Sequence, residues 1–324
     1  MDQDNLISEM NKFEKECVSK GCCFDHDFSN DLPKCYHQIP SKYTYQLKEN
    51  TNSEAKNRIQ FVKNTHRSQI LQHYSELGDE VNSELIIGLS KLSEKSSYGG
   101  DMLDISLYVK RCSKSVIQVL LRNVTNDDFK ISDCPHYNSG LDESEIKFTA
   151  SKKNNEPLNI TIYRKVSNTK LVETIFGPLE YSSDAQVITT RLASRNFYGL
   201  GQVNNFEFRE KSKEWNLFSK EAKLDVTGTQ TPHPFMMVIE PSSKAYGIYF
   251  QNSGPLKIEY INMPGIAVES SYGYIDFTVF GGPLPKDVTE QYTSLIGRPS
   301  MPPYWGLGYH LCRGSDGNLN DLYR

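Results

Sequence analysis

The sequence predicts a mainly β protein whose largest part is an antiparallel β-sandwich, and three observations support this. Between about residues 66 and 296, short segments alternate apolar and polar residues, as in 103–109 and 158–162. Glycine, proline, asparagine and serine separate these segments at short intervals, which is typical of sandwiches. The chain also contains 19 Tyr and 15 Phe, and aromatic residues are enriched in strands.

Further strands are predicted from denser apolar runs in the same region. Residues 116–121 form one such run, and two more, 235–239 and 245–250, flank a turn at 240–244. Another run, 275–280, ends at a Gly-Gly-Pro sequence. Runs of this length, bounded by turn-forming residues, are typical of strands in a sandwich core.

A helix is predicted directly after the sandwich, because the apolar spacing changes there. Val288 and Tyr292 are four residues apart, and Leu295 and Ile296 continue the same face. A proline begins this segment and a glycine follows it, which is the usual asymmetry of helix ends. We therefore expect an amphipathic helix over 285–296.

The next segment, 304–311, is an apolar run with glycines at two positions and no helical period. Because prolines 302 and 303 separate it from the preceding segment, the run predicts one buried strand of a parallel sheet or barrel. A single strand has no partner of its own, so we expect it to open a larger domain that is absent from this chain.

Four of the seven cysteines cluster near the start of the chain, at Cys17, Cys22, Cys23 and Cys35. Clustered cysteines of this kind indicate a small disulfide framework and an oxidising compartment. The alternative is a metal site, which adjacent cysteines favour less than a C-x2-C spacing does. Cys112 and Cys134 lie within the predicted sandwich, where either a disulfide bond or two buried free thiols is expected.

Composition excludes some classes of function. The formal net charge of −4 argues against a nucleic-acid-binding protein, which normally has a basic excess. No run of 18 apolar residues is present to form a membrane segment, and the acidic start of the chain is unlike a secretory signal. The sequons at Asn123 and Asn159 predict glycosylation if the protein is secreted.

Several motifs, taken in order along the chain, resemble glycoside hydrolase family 31, whose members include α-glucosidases. The segment around the double proline resembles the start of the family's catalytic barrel, and the motif Lys20–Phe24 looks like part of a trefoil (P-type) module. The other motifs that carry the resemblance are 197–202, 215–218, 233–235 with 247–253, 274–280 and 290–292.

The resemblance implies three parts. Residues 14–40 are expected to form a partial trefoil module, and residues 41–284 an N-terminal sandwich of the galactose mutarotase-like type. Residues 285–324 are expected to form a linking helix and the first strand of a truncated (β/α)8 barrel. The implied function is that of a retaining α-glucosidase acting on terminal α-glucosidic bonds of maltose-type oligosaccharides.

Retaining glycosidases need two carboxylates, a nucleophile and a general acid/base, and the resemblance places both on later barrel strands. The family's Trp-x-Asp-Met-Asn-Glu motif does not occur in this sequence. We therefore expect the chain to contain no catalytic residue and to be inactive alone. The alternative function is a non-catalytic carbohydrate-binding or secreted interaction protein built from the trefoil and sandwich parts.

Three residues are candidate substrate contacts by the resemblance. Glu221 stands where the family has an aspartate that binds sugar hydroxyls, and a solvated loop carboxylate is the equal alternative. Trp215 precedes the same loop and is either a sugar-stacking residue or part of the core. His233 follows the loop, where a structural role beside two prolines is favoured over a substrate contact.

The resemblance also implies a disulfide between Cys17 and Cys35, and it leaves Cys22 and Cys23 without their usual partners in this chain. The expected partner is an α-linked gluco-oligosaccharide, bound through the missing barrel. No cofactor and no metal are expected, because carboxylates and water suffice for this hydrolysis. The implied location is the secretory pathway: extracellular, lysosomal or a membrane-tethered ectodomain.

Overall fold

The computed structural model describes residues 15, 23–24, 35–36, 45–47, 60–61, 84–91, 100–123, 144–151, 158–175, 179–183, 185–201, 214–217, 233–252, 254–261, 264–271 and 274–309. Most of these residues lie in strands, and every strand pairing is antiparallel. The prediction of a mainly β protein with an antiparallel sandwich is therefore confirmed.

The strands are numbered in chain order. They are β1 Cys23–Phe24, β2 Cys35–Tyr36, β3 Tyr45–Leu47, β4 Gln60–Phe61, β5 Glu84–Lys91, β6 Asp104–Ser113, β7 Val116–Asn123, β8 Ile146–Ser151, β9 Asn159–Arg164, β10 Lys170–Ile175, β11 Glu180–Tyr181, β12 Gln186–Leu192, β13 Asn196–Gly199, β14 Glu214–Leu217, β15 Phe235–Ile239, β16 Ala245–Phe250, β17 Leu256–Ile261, β18 Gly265–Ser270 and β19 Ile275–Phe280.

Two large sheets form the sandwich. The first has the strand order β13-β15-β16-β19-β7-β6-β5-β3, with β4 beside β5, and we call it the helix-covered sheet. The second has the order β14-β17-β18-β12-β10-β9-β8, with β11 beside β12, and we call it the polar-faced sheet. A separate ribbon pairs β1 with β2.

The hydrophobic core lies between these two sheets, and the alternation seen in the sequence explains it. In β6, Ile105, Leu107 and Val109 are buried while the residues between them are partly exposed. In β9, Ile160 and Ile162 make the same contribution from the opposite sheet. Because side chains alternate across a strand, each sheet has one core face and one outer face.

Helix α1 spans Pro285–Ile296 as the sequence predicts. The side chain of Asp287 accepts a hydrogen bond from the backbone N–H of Leu284, which caps the first turn. Val288 and Tyr292 are buried against the outer face of the helix-covered sheet. The fit is close: a Cβ atom added at Gly247 of β16 would lie 2.6 Å from a methyl carbon of Val288.

A buried glutamine also fastens α1 to the end of β19. The Gln291 side chain accepts a hydrogen bond from Gly282 N–H at 3.0 Å and donates one to Gly282 C=O at 2.9 Å. The N–H and C=O groups of Gly282 thus both have hydrogen-bond partners, although the backbone bonds of strand β19 have already ended at Phe280.

The prediction of a buried strand after the double proline is wrong for the described part of that segment, residues 304–309. Residues Tyr304–Leu307 form a short 3₁₀ turn instead. Tyr304 is 92% exposed and Trp305 is 76% exposed, so neither side chain is buried as the predicted strand required. The physical reason is pairing: no described strand lies beside this segment, so its backbone bonds locally, as in Gly306 N–H to Pro303 C=O.

The cysteine predictions are only partly within the described residues. Cys112 is disulfide-bonded, which excludes the free-thiol alternative for that residue, but its predicted partner Cys134 lies outside the described residues. Cys17 and Cys22 also lie outside them, so the Cys17–Cys35 pairing stays a prediction. Among the described helices, none has the length and apolar character needed to cross a membrane.

Candidate functional site

Two of the three predicted substrate contacts are described: Trp215 lies on β14, an edge strand of the polar-faced sheet, and His233 directly precedes β15 of the helix-covered sheet. The Phe197 ring of β13 lies 5.5 Å from the Trp215 ring of β14, in a T-shaped arrangement. It also lies 5.4 Å from the Tyr260 ring of β17. We call this region, from β13 and β14 to the start of β15, the sandwich margin.

A tight turn at residues 199–201 ends β13. Gly199 has φ +123°, and a Cβ atom there would lie 2.3 Å from the carbonyl oxygen of Phe235. Leu200 has φ +63° and is fully buried, and its N–H donates to the same carbonyl at 2.8 Å. Left-handed backbone angles are unfavourable in free energy for a leucine. Burial of the Leu200 side chain and this hydrogen bond offset that cost and hold the turn in place.

Trp215 lies on the core side of β14 and is half-buried. It packs against the main core cluster and contacts Phe197 edge to face. Its neighbour Asn216 points to the other face and is exposed. This placement favours the interpretation of Trp215 as part of the core over the interpretation as a sugar-stacking residue.

Tyr260 completes the aromatic contact at the sandwich margin. Its hydroxyl oxygen is buried and has no hydrogen-bond partner. Burial raises the pKa of Tyr260, and the positive charge of Arg195 opposes this rise. The phenol is therefore neutral at physiological pH and contributes mainly its ring.

His233 is exposed and lies just before β15, on the outer side of the helix-covered sheet. Its Nε2 atom shares a hydrogen bond of 3.0 Å with the hydroxyl of Tyr292 on α1. The Tyr292 ring stacks on Phe235 with the centroids 4.2 Å apart. Burial, followed by the neighbouring Tyr249, raises the pKa of Tyr292 to about 12. These contacts support the structural role predicted for His233.

The structure does not bring the candidate substrate contacts together within its described residues. Trp215 faces the core, whereas His233 lies on the outer side of the sheet against α1. Glu221 lies outside the described residues. The sequence indicated the importance of the His-Pro-Phe motif but not its partner, because the partner is 59 residues away on the helix.

The buried carboxylates of the sandwich are mostly paired with cations. Glu240 forms a fully buried ion pair with Arg164, and Glu145 accepts from Arg111 at 2.8 Å and from Lys165 at 2.9 Å. Burial alone raises the pKa of Glu145, but the hydrogen bonds and charges of Lys165 and Arg111 hold it below its usual value. Retaining hydrolysis needs two carboxylates that face a bound sugar, whereas Glu145 and Glu240 face the cations that pair with them inside the sandwich.

Asp276 on β19 is the exception, and the sequence analysis did not single it out. It is 2% exposed and has no ion pair with any described residue, and the described side chain that donates to its carboxylate oxygens is Gln118. An aspartate in an alternating strand is usually outward-facing, so only the tertiary structure reveals this burial. For metals, the described residues contain no group of three or more potential ligands.

Comparison with known proteins gives two kinds of match. The family model of the Trefoil (P-type) domain matches residues 10–38. Over 98% of its length, the chain is 26% identical to probable maltase-glucoamylase 2 of Homo sapiens and 25% identical to intestinal sucrase-isomaltase of Oryctolagus cuniculus. Over 49% of its length, it is 33% identical to lysosomal alpha-glucosidase of Bos taurus.

The chain spans only a small share of these relatives: 12%, 16% and 17% of their lengths, respectively. Among solved structures, the GH31 dextranase of Flavobacterium johnsoniae complexed with glucose matches with a TM-score of 0.52. That match has 16% identity and covers 74% of this chain and 30% of the dextranase. The resemblance to glycoside hydrolase family 31 with a trefoil module is thus confirmed, and the solved structure supports the shared fold.

Proposed function

We propose that this chain is the sandwich-bearing part of a retaining α-glucosidase that cleaves terminal α-glucosidic bonds of maltose-type oligosaccharides. The observation that carries the proposal is the similarity to probable maltase-glucoamylase 2 and intestinal sucrase-isomaltase along 98% of the chain. Two buried carboxylates of the sandwich, Glu145 and Glu240, are held in ion pairs with Arg111 and Arg164, which supports a non-catalytic role for the sandwich. The 324 residues alone are then inactive.

The domain boundaries follow the same proposal. Residues 14–40 form a partial trefoil module, 41–284 the sandwich, and 285–324 the helix and first segment of a barrel. Two structural facts support the third part. Helix α1 is firmly fixed on the sandwich through Gln291 and Tyr292, whereas the segment that follows it exposes large apolar side chains.

An exposed apolar segment after a fixed helix suits a contact with further parts of the polypeptide. Met301, Tyr304, Trp305, Leu307 and Tyr309 are each more than 60% exposed. A monomeric protein rarely presents so many large apolar side chains in one short segment unless another surface covers them. In this proposal, a catalytic barrel covers them and binds the α-linked gluco-oligosaccharide.

Within this function, Glu221 is the proposed sugar contact. Trp215 and His233 flank it in sequence, and their described contacts are with different parts of the protein. Trp215 is packed in the core beside Phe197, and His233 is bonded to Tyr292 on α1. Their proposed role is therefore to hold the ends of the loop, with no direct stacking or bonding to sugar.

The secretory pathway is the proposed location. The trefoil match and the disulfide at Cys112 agree with an oxidising compartment. Cys17–Cys35 and Cys112–Cys134 are the proposed bonds. Asn123 and Asn159 are the proposed glycan acceptors; both are partly exposed.

The transcript beyond the codon for Arg324 tests the proposal most directly. We expect an open reading frame that encodes a Trp-x-Asp-Met-Asn-Glu motif. The longer product should hydrolyse an aryl α-glucoside, the 324-residue chain should not, and replacing the aspartate of the motif with alanine should abolish activity. A stop codon together with saccharide binding by the 324-residue chain would favour the non-catalytic alternative.

A further inference from the structure

Asp276 lies on the outer face of β19, between β7 and β16. Its side chain is buried, and the amide nitrogen of Gln118 lies 3.0 Å from Oδ1 and 2.9 Å from Oδ2. A carboxylate can accept about four hydrogen bonds, so one amide nitrogen leaves it poorly solvated. A buried charge without adequate partners is strongly unfavourable, and the group takes up a proton instead.

The titratable and charged groups around Asp276 do not neutralise it. Strand β16 presents Tyr249, whose pKa is raised by burial and by the negative charge of Asp276. Strand β7 presents the neutral Gln118, and Lys110 of β6 lies opposite Gln118, one strand further away. Burial is the main cause that raises the pKa of Asp276 to about 7, and the Gln118 hydrogen bond opposes it.

The same face carries α1, and the contact between them is aromatic. Tyr249 is opposite Thr278 of β19, two residues from Asp276. The Tyr249 ring lies 5.2 Å from the Tyr292 ring of α1. Tyr249 is therefore near Asp276 along the sheet and in ring contact with α1. A change of charge at Asp276 acts on the helix-packing surface through this side chain.

We propose that Asp276 is a proton-binding group that couples the packing of α1 on the helix-covered sheet to pH, with the protonated carboxyl as the packed form. This inference does not rest on the α-glucosidase function. Because the folded chain holds the proton while the unfolded chain releases it, the contribution of Asp276 is complete below about pH 4. It is lost as the pH rises towards about 7.

The first test is a titration of the purified 324-residue chain. Aspartate carboxyl ¹³C resonances are followed from pH 3 to pH 9 in the unmodified chain, and one resonance should titrate near pH 7. That resonance should be absent from Asp276→Asn and present in the control Glu259→Gln, which removes an exposed carboxylate from the other sheet. If no aspartate titrates above pH 5.5 in the unmodified chain, the proposal is overturned, even if Asp276→Asn does not fold.

The second test measures the coupling to α1. Unfolding is followed from pH 4 to pH 8, and asparagine mimics the neutral carboxyl. The unfolding equilibrium constant of the unmodified chain, relative to Asp276→Asn, should rise up to about a thousand-fold across this range, at tenfold per pKa unit. Equal pH dependence in the two proteins contradicts the proposal.

Hydrogen exchange locates the effect. At pH 8, peptides from 285–296 should exchange faster in the unmodified chain than in Asp276→Asn, and at pH 5 the two should agree. Peptides from 159–164 in the polar-faced sheet are the internal control and should match at both pH values. A difference spread equally over both sheets would show that Asp276 affects global stability without any link to the helix, and would overturn the coupling.

Discussion

The outer faces of the two sheets shift the pKa of a carboxyl group in opposite directions. On the polar-faced sheet, Glu173 is surrounded by Lys170, Arg191 and Asn159. Burial alone raises its pKa, but the hydrogen bonds from Lys170 and Asn159 and the nearby charges hold it below the usual value. On the helix-covered sheet, Asp276 has one amide donor, and burial raises its pKa. The same strand geometry therefore supports a solvated ionic face or a dry one, depending on what packs over it.

The difference arises from α1 and the side chains that meet it. Phe235, Tyr249 and Phe280 form an aromatic surface around Tyr292. Strands β17 and β18 of the other sheet instead place Lys257 opposite Glu269 on the outer face. An outer face that must bind a helix needs apolar side chains, because burial of their area supplies the stabilisation.

The largest effect is expected for the ion pair that joins the two sheets. Arg164 of β9 is fully buried and pairs with Glu240, and it donates to Gly281 C=O at 2.7 Å. Arg164→Ala leaves the Glu240 charge buried and unpaired, so we expect about 3–5 kcal/mol of lost unfolding free energy.

Chemical denaturation measures this loss. The double variant Arg164→Met, Glu240→Leu should be much less destabilised than Arg164→Ala, because it removes both charges. If the two proteins are equally unstable, the loss reflects packing and not the unpaired charge.

The helix-covered face should depend on Tyr292. Tyr292→Ala removes the ring that stacks on Phe235, and we expect about 3 kcal/mol of destabilisation, as for other large aromatic truncations. Tyr292→Phe keeps the ring and loses only the bond to His233, so about 1 kcal/mol or less is expected. Thr189→Ala on the polar-faced sheet is the matched control and should stay within about 0.5 kcal/mol. Comparable losses for Tyr292→Ala and Thr189→Ala would mean that the two outer faces contribute equally.

The polar face should show the opposite pH dependence to Asp276. The folded pKa of Glu173 is lowered, so its contribution to stability is present above the unfolded pKa of about 4.5 and is lost as the pH falls through the folded value. Glu173→Gln should therefore lower the stability between pH 5 and pH 8, where this contribution is present, and should reduce the further loss of stability on going to pH 2. Thermal unfolding between pH 2 and pH 8 is the measurement, and a destabilisation by Glu173→Gln that appears only at low pH would contradict this sign.

The smallest effect on stability is expected in the exposed segment after α1. Trp305 is 76% exposed, so Trp305→Ser should change the unfolding free energy by less than about 0.5 kcal/mol. Self-association, measured by light scattering, should fall because an apolar patch is reduced. A large loss of stability would indicate that the segment is packed, as the sequence had suggested.

Much of the fold was predictable because short-range patterns decide it. The strands Phe235–Ile239, Ala245–Phe250 and Ile275–Phe280 have the predicted bounds, and so does the helix Pro285–Ile296. In each case, proline, glycine or a tight turn limits an apolar segment of one clear period. The wrong prediction at Tyr304–Leu307 has a related cause: an apolar run indicates burial, but a strand also needs a neighbouring strand for its hydrogen bonds.

The candidate site was less predictable because its contacts are long-range. His233 meets Tyr292 across 59 residues, and Gln118 meets Asp276 across 158. Nothing in the spacing around either residue indicates its partner. The motifs located the sandwich margin. Only the contact between Phe197 of β13 and Trp215 of β14 shows that the Trp215 ring faces the core.

The sequence by itself determined the strand periodicity, the position of the helix and the resemblance to glycoside hydrolase family 31, because these depend on residues close together in the chain. Only the tertiary structure decided which outer face is dry. Burial of a strand's second face depends on what packs over it, and Asp276 and Glu173 are both carboxylates in alternating strands. Their opposite pKa shifts follow from the neighbours that folding brings to each one.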